Sequence, residues 1–174
     1  MLLLKLDRIR TAHERFEHVY APQELDTRDD VFDIAGPTTL AMDIFKDKDQ
    51  FRLVGRVRTS LSQPCSRCLE AFAIEADTPF DLRYLPAGAA PDAGEREIDD
   101  DDFSAAVYEQ DTIDLGQLIR EQCYLALPMK PLCTEACEGL CPQCGTNLNR
   151  STCDCRPDWE DPRLAALRAL KKDS

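Results

Sequence analysis

Six cysteines lie close together near the carboxyl end of the chain, and their spacing is typical of a metal site. The six fall within 23 residues and are Cys133, Cys137, Cys141, Cys144, Cys153 and Cys155. Thiolates bind zinc tetrahedrally at about 2.3 Å. No His, Asp or Glu in the block is placed to suggest an open catalytic position. We therefore expect Zn²⁺ in a structural role here, in preference to free or disulfide-paired thiols.

The choice of four ligands among these six cysteines stays open. Cys141 and Cys144 are the most secure pair, because Cys-Pro-Gln-Cys-Gly suits a tight turn that aims two sulfurs at one ion and is relieved by its glycine. Their partners are either Cys133 with Cys137 or Cys153 with Cys155. We favour the first pair, which could share one face of a helical turn. The block has few apolar residues, so metal binding must supply most of its folding free energy.

A second thiol pair, Cys65-Ser66-Arg67-Cys68, lies at a predicted hairpin tip far upstream. It could supply two more metal ligands, act as a redox pair, or form a turn whose thiols merely pack. A redox pair usually opens a helix, where the helix dipole lowers a thiol pKa. Strand-like alternation resumes soon after Cys68, which favours a metal or structural role. The remaining thiol, Cys123, falls on the apolar stripe of a predicted helix and is interpreted as a core residue.

The chain's composition excludes several classes of protein. Its 174 residues include 33 acidic and 21 basic side chains, for a net charge of -12, and 43% are apolar. An apolar content this high predicts a folded core. The short apolar start does not resemble a signal peptide, and no segment approaches the ~20 apolar residues of a membrane span. We therefore expect a cytoplasmic protein without membrane contact, whose odd cysteine number fits a reducing compartment.

The negative charge is concentrated in one segment. Residues 92–114 contain ten acidic residues and one base, so they carry nine of the twelve excess negative charges. The centre of this run, Asp99, Asp100, Asp101 and Asp102, is a candidate docking surface for a basic partner. The alternative is direct RNA contact through Arg52, Arg56 and Arg58, with Lys5, Arg8 and Arg10 if these fall on one face. Overall charge favours the protein partner.

Hydrophobic periodicity predicts an α+β fold. Residues 38–84 alternate apolar and polar side chains over four runs, which indicates a small antiparallel sheet with one buried face and a first turn at residues 46–49. Residues 112–127 have helical spacing and should pack on the sheet, whereas residues 11–25 could be a short helix or a loop. We expect four parts, which are an α+β core domain at 1–130, an acidic surface excursion within it at 86–111, the zinc-stapled cysteine-rich segment at 131–156, and a C-terminal helix at 157–174.

Four motifs together resemble a known family. They are Cys-Ser-Arg-Cys-Leu-Glu at 65–70, Ile-Asp-Leu at 113–115 opening a helix that ends Leu-Ala-Leu-Pro-Met-Lys-Pro, the block from Cys137 to Asn149, and Asp-Pro-Arg-Leu-Ala-Ala-Leu at 161–167. In this order they resemble the bacterial YceD family, the large ribosomal RNA subunit accumulation proteins. The match spans most of the chain, and the first thirty residues and the acidic excursion fit only loosely.

The resemblance implies a role in ribosome biogenesis, in the accumulation or processing of 23S rRNA. It also suggests a small, basic ribosomal protein of the large subunit, or 23S rRNA and its precursor, as the partner. Some relatives lack parts of the cysteine set, so the resemblance assigns no active site. We expect a binding protein and no enzyme. The alternative is an enzyme, either a thiol-redox protein using Cys65 and Cys68 or a ribonuclease.

Overall fold

A computed structural model describes residues 2–25, 31–87 and 105–155. The chain divides into two compact units, one formed by Met1–Pro64 and Ala71–Pro131 and the other by Cys65–Glu70 and Leu132–Ser174. The proposed docking residues Asp99 to Asp102 and the expected helix at 157–174 lie outside the described residues. Among the residues that the structure describes, no helix is long and apolar enough to cross a bilayer.

The first unit is mostly sheet with one described α-helix, beside two short 3-10 helices at Leu6–Arg8 and Pro22–Glu24. Its strands are β1 (Leu3–Lys5), β2 (His13–Tyr20), β3 (Asp33–Ile34), β4 (Thr38–Asp47), β5 (Gln50–Pro64), β6 (Ala71–Pro86), β7 (Ala105–Tyr108) and β8 (Thr112–Asp114), and its helix is α1 (Leu115–Ala126). One sheet has the order β2-β4-β5-β6-β7, with β3 also paired to β5, and β1 pairs with β8 in a second, two-stranded sheet. All pairings are antiparallel except β6 with β7. The predicted antiparallel sheet is confirmed.

The core lies between one face of the large sheet and α1. Alternate residues of β5 are buried there, with Leu53 and Leu61 fully inaccessible and Val57 only 1% exposed. The helix contributes its predicted apolar stripe, of which Leu118 and Cys123 are each 1% exposed. Burial raises the pKa of the Cys123 thiol to about 11, so it stays neutral at ordinary pH and packs as a small apolar group.

The helix begins later than its periodicity predicts. Residues 112–114 form β8, and Asp114 caps α1 by accepting hydrogen bonds from the backbone N–H groups of Gly116 at 2.9 Å and Gln117 at 3.2 Å. An aspartate at this position satisfies donors that the first helical turn leaves unpaired. The cap therefore sets the point where β8 ends and α1 begins, inside the range 112–127 that was predicted to be helical.

Two other predictions for the first unit are wrong. Residues 13–20 form β2, at one end of the large sheet, whereas a short helix or a loop was expected. The predicted surface excursion at 86–111 also contains structure, because residues 105–108 form β7 beside the end of β6. Both strands lie at the ends of the sheet among the described strands, and each buries only one side chain, so apolar alternation in their sequences is weak.

Candidate metal centre

Eight cysteines of the second unit converge in two groups of four. The first group, which we call tetrad A, contains Cys65, Cys68, Cys133 and Cys137, and the second, tetrad B, contains Cys141, Cys144, Cys153 and Cys155. Within each tetrad the four sulfur atoms all lie within 4.8 Å of one another. All nine cysteines of the chain are free thiols. Each tetrad could hold one metal ion.

The sulfur spacing fits tetrahedral coordination. Four sulfurs around one ion at about 2.3 Å must be separated by about 3.8 Å along each edge of the tetrahedron. In tetrad A the Sγ atoms of Cys65 and Cys137 are 3.8 Å apart, and those of Cys68 and Cys133 are 3.7 Å apart. The two pairs together account for all four ligands. Tetrad A is therefore already arranged for an ion with four thiolate ligands.

The tetrads change the ligand assignment made from spacing. Cys141 and Cys144 do lie in the same tetrad, but the other two sulfurs there are those of Cys153 and Cys155, so the favoured grouping with Cys133 and Cys137 is not the one found. The latter two instead meet the upstream pair. The metal-ligand interpretation of Cys65 and Cys68 thus fits the structure, and the chain has places for two ions.

Each tetrad is built on a knuckle of the same backbone geometry. In tetrad A the N–H of Leu69 donates to the carbonyl of Cys65, and the N–H of Cys65 donates to the carbonyl of Glu70, both at 2.9 Å. In tetrad B the Gly145 N–H donates to the Cys141 carbonyl at 2.9 Å, and the Cys141 N–H donates to the Thr146 carbonyl at 2.8 Å. The residue after the second cysteine has a positive φ in both, 61° for Leu69 and 74° for Gly145.

Further donors surround tetrad A. The Cys133 N–H and the Arg67 N–H approach the sulfur of Cys65 at 3.4 and 3.5 Å. The Asn149 side-chain amide donates to the sulfur of Cys137 at 3.3 Å. N–H donors directed at sulfur stabilise the thiolate that a metal requires. These contacts orient the sulfurs of Cys65 and Cys137 toward the centre of the tetrad.

Arg67 joins the first knuckle to the loop that carries Cys137. One of its terminal nitrogens donates to the Cys137 carbonyl at 2.7 Å and to the Glu135 carbonyl at 3.2 Å. Sequence reasoning missed the roles of Arg67 and Asn149. Their positions inside or beside the cysteine motifs were the only available signal, because each acts on a partner far away in the chain.

Thiol ionisation in the tetrads is uneven. Backbone N–H groups, that of Cys68 first, lower the pKa of Cys65 to about 6, and hydrogen bonds from Thr146 lower the pKa of Cys144 to about 6. Burial and the neighbouring thiols raise the pKa of Cys133 to about 12. The neighbouring Cys144 thiol, together with burial, raises the pKa of Cys155 to about 12 as well. Four thiolates this close repel one another, so full ionisation needs a cation at their centre.

Cysteine also provides most of the buried interior of the second unit. Five of its described residues are buried, namely Cys65, Cys68, Cys137, Gly139 and Cys141. The two leucines of the block, Leu140 and Leu148, are only partly buried. The described part of this unit therefore has no apolar core, and ligation by sulfur is the interaction available to stabilise it.

Leu69 and Gly145 occupy equivalent positions of positive φ in the two knuckles, so substitutions there should change the stability in opposite directions. We expect Leu69→Gly to stabilise the metal-loaded protein by about 0.5–1 kcal/mol and Gly145→Ala to destabilise it by about 1 kcal/mol, because a side chain at positive φ is strained. Leu69 is 66% exposed, so its removal costs little packing. Urea unfolding measures both changes. Ser66→Gly is the control for the flexibility that an added glycine gives the chain. If Leu69→Gly lowers the free energy of unfolding as much as Ser66→Gly does, the prediction is wrong.

The proposed RNA-binding arginines lie on one face but are paired with acids. Arg52, Arg56 and Arg58 occupy the face of β5 opposite the core, and Arg52 donates to Asp81 at 2.7 Å. Arg56 and Arg58 both approach Asp77 at 3.2 Å. The pairing with Arg52 lowers the pKa of Asp81. The two carboxylates thus offset part of the positive charge of the three arginines, which weakens this face as a phosphate-binding surface.

Comparison with known proteins finds one family. The family model described as "Large ribosomal RNA subunit accumulation protein YceD" matches residues 53–171. A chloroplastic YCED homolog 1 of Arabidopsis thaliana, also named a large ribosomal RNA subunit accumulation protein, is 29% identical over 158 residues, 78% of this chain and 49% of its own length. The homolog 1 protein of Zea mays is 31% identical over 147 residues, covering 70% of this chain and 49% of its own.

Bacterial relatives match a comparable share of this chain. An uncharacterized protein of Mycobacterium tuberculosis is 34% identical over 115 residues, 66% of this chain and 53% of its own length. The chain spans about half the length of the curated relatives it matches. Two relatives have "chloroplastic" in their names, so cytoplasmic localisation stays a prediction. No solved structure matches the chain significantly.

Proposed function

Because the chain belongs to the YceD family, we propose that it is a ribosome biogenesis factor that supports accumulation of 23S rRNA as a zinc-stabilised binding protein. The observation that carries this proposal is the family match over residues 53–171, which includes all eight tetrad cysteines. The role in large-subunit biogenesis rests on that match, and the mode of action rests on the chemistry of the tetrads and on charge.

Zinc is the metal that the tetrads fit best. Four thiolates in a tetrahedral arrangement suit zinc or an iron–sulfur centre. Each tetrad combines one knuckle, followed by a residue at positive φ, with two further cysteines, so an ion bound there would have a protein ligand at every tetrahedral position. A closed zinc site stabilises structure, whereas a catalytic one keeps a position open for water or substrate.

The partner is proposed from charge. Residues 92–114 carry most of the net charge of -12 and would attract a small, basic protein of the large subunit. Binding 23S rRNA or its precursor is the other proposed mode. Affinity capture of the full chain from cells, with and without ribonuclease, separates the two, because a partner bridged by RNA is lost on digestion.

The enzyme alternative makes a different prediction about the cysteines. A thiol-redox protein would require Cys65 and Cys68, whereas Cys133 and Cys137 would be dispensable for its chemistry. A metal-stabilised binding protein requires all four sulfurs of tetrad A, since each is one vertex of the same site. Serine substitutions at the four positions, compared for metal content and rRNA level, therefore distinguish the two functions.

The experiment that tests the proposed function is deletion of the gene in its own host. We expect mature 23S rRNA to fall relative to 16S rRNA and to recover with the wild-type gene, because the proposed role concerns the large subunit alone. Quantitative rRNA electrophoresis measures the ratio. An unchanged ratio in the deletion strain would refute the ribosomal role.

A further inference from the structure

Strand β2 has one edge that no other described strand covers. Its residues, His13–Tyr20, pair with β4 along one edge, and among the described strands it has no partner along the other. An uncovered edge presents a row of main-chain N–H and C=O groups that can accept another strand. At the opposite end of the sheet β7 has only four residues, so β2 offers the longer edge.

The outward main-chain groups of β2 belong to its odd-numbered residues. The Lys46 N–H donates to the Ala12 carbonyl at 2.9 Å, in register with the pairing of β2 and β4. Hydrogen-bonded pairs recur at every second residue of an antiparallel ladder, so the even-numbered residues of β2 bond to β4. The N–H and C=O groups of Arg15, Glu17 and Val19 therefore point away from β4. Within the described chain these groups have no hydrogen-bond partner.

The charges of β2 favour one register for pairing with a second copy of the same strand. Three antiparallel registers near the middle of the strand use the outward groups, with a twofold axis at Arg15, Phe16 or Glu17. An axis at Arg15 sets two arginines opposite each other, and an axis at Glu17 sets two glutamates opposite each other, which is destabilising. An axis at Phe16 instead sets Arg15 against Glu17 twice. It also sets Glu14 against His18 twice.

The side chains that would meet about Phe16 are exposed and unpaired in the single chain. Arg15 and Glu17 are exposed and form no ion pair with the described residues. Val19 is 56% exposed and would lie opposite His13. The His13 ring stacks on the exposed ring of Phe45, with 4.7 Å between the centroids. Pairing would therefore neutralise two exposed charges per chain and bring two exposed apolar groups together.

We propose that β2 pairs with β2 of a second copy of this chain about a twofold axis at Phe16, which joins the two large sheets into one. A twofold interface uses the same patch on both chains, so each favourable contact occurs twice. On the side that faces the core, the half-buried Phe16 would meet its own counterpart as an aromatic cross-strand pair. The proposal goes beyond the ribosomal function and does not depend on it.

The dimer should be weak, because one strand from each chain forms a small interface and each chain carries a net charge of -12. Sedimentation equilibrium of the full, metal-loaded chain measures its formation between about 1 and 300 µM. We expect an equilibrium between monomer and dimer in this range. Arg15→Glu and Glu17→Arg should each weaken the dimer about tenfold, because each sets like charges opposite each other twice.

The two charge reversals in combination test the register. The double variant Arg15→Glu/Glu17→Arg has the composition of the wild type and should regain its dimer, because acids again face bases. An equimolar mixture of the two single variants should form a heterodimer for the same reason. Arg120→Glu, a reversal at an exposed position of α1, is the control for net charge and should change the dissociation constant less than about twofold.

Circular dichroism verifies that each variant is folded, and the heterodimer of the mixture can form only from folded chains. A wild-type chain that stays monomeric at every concentration would overturn the proposal, as it would if β2 instead accepts a strand of another protein. Equal weakening by Arg15→Glu and Arg120→Glu would also overturn it. So would a double variant that stays monomeric where the wild type dimerises, because the axis at Phe16 is part of the proposal.

Discussion

Replacing Cys65 with serine is expected to lower the bound metal from two ions per chain to one and to destabilise the second unit by several kcal/mol. Cys65 is fully buried, its sulfur lies 3.8 Å from that of Cys137, and two N–H groups approach it. Structural zinc contributes on the order of 10 kcal/mol to small domains that lack a core. Loss of one thiolate from a closed site removes much of that contribution.

Elemental analysis of the purified variant measures the metal content, and urea unfolding measures the stability. Cys123→Ala is the matched control, because Cys123 is equally buried but belongs to the core of the first unit and to neither tetrad. It should keep both ions and lose only packing energy. Two ions retained by Cys65→Ser, or one lost from Cys123→Ala, would contradict the two-site description.

Gly55→Ala is expected to destabilise the first unit by about 3 kcal/mol, at the upper end of the usual effect of overpacking. A Cβ at residue 55 would lie 2.5 Å from the Ala41 carbonyl oxygen and 2.5 Å from the Cβ of Met42. Gly55 pairs with Met42 where β4 and β5 meet at the centre of the sheet. Neither neighbour is the end of a flexible side chain, so the two strands would have to separate.

Gly36→Ala is the control for the general cost of replacing a glycine. Its added Cβ would meet only the Ser60 Cβ at 3.3 Å and the Ser60 N at 3.9 Å. We expect a change below about 1 kcal/mol. The midpoint of urea unfolding, followed by far-ultraviolet circular dichroism, compares the two variants. A Gly55→Ala protein as stable as Gly36→Ala would show that β4 and β5 are less closely packed than described.

The sequence predicts the central strands well because their alternation is uninterrupted. Apolar residues at 72, 74 and 76 and at 80, 82 and 84 were interpreted as two of the four runs, but β6 is one strand from Ala71 to Pro86. All six positions have the same parity, which was the available signal. Among the described strands β7 pairs only with residues 83–86, so one edge of β6 is open at Pro79, and an open edge is where a strand tolerates proline.

The edge strand β2 was harder to predict. Its sequence, His-Glu-Arg-Phe-Glu-His-Val-Tyr, places polar groups on both faces, since one edge and much of the surface are exposed. Local spacing also could not assign the tetrads. Cys133 and Cys137 are nearer in sequence to Cys141 than to Cys65, and only the fold of the chain between them brings the distant pair into one site.

The ligands of tetrad A bracket about half of the first unit in chain order, namely Ala71–Pro131. Cys68 precedes β6 and Cys133 follows α1, so a bound ion would close a loop of the chain that contains β6, β7, β8 and α1. During translation Cys65 and Cys68 would leave the ribosome before Cys133 and Cys137. The site could therefore bind an ion with four thiolates only after the later pair has emerged. Loading of this site would therefore mark completion of the nascent polypeptide through Cys137, and a chain released earlier would lack that cross-link.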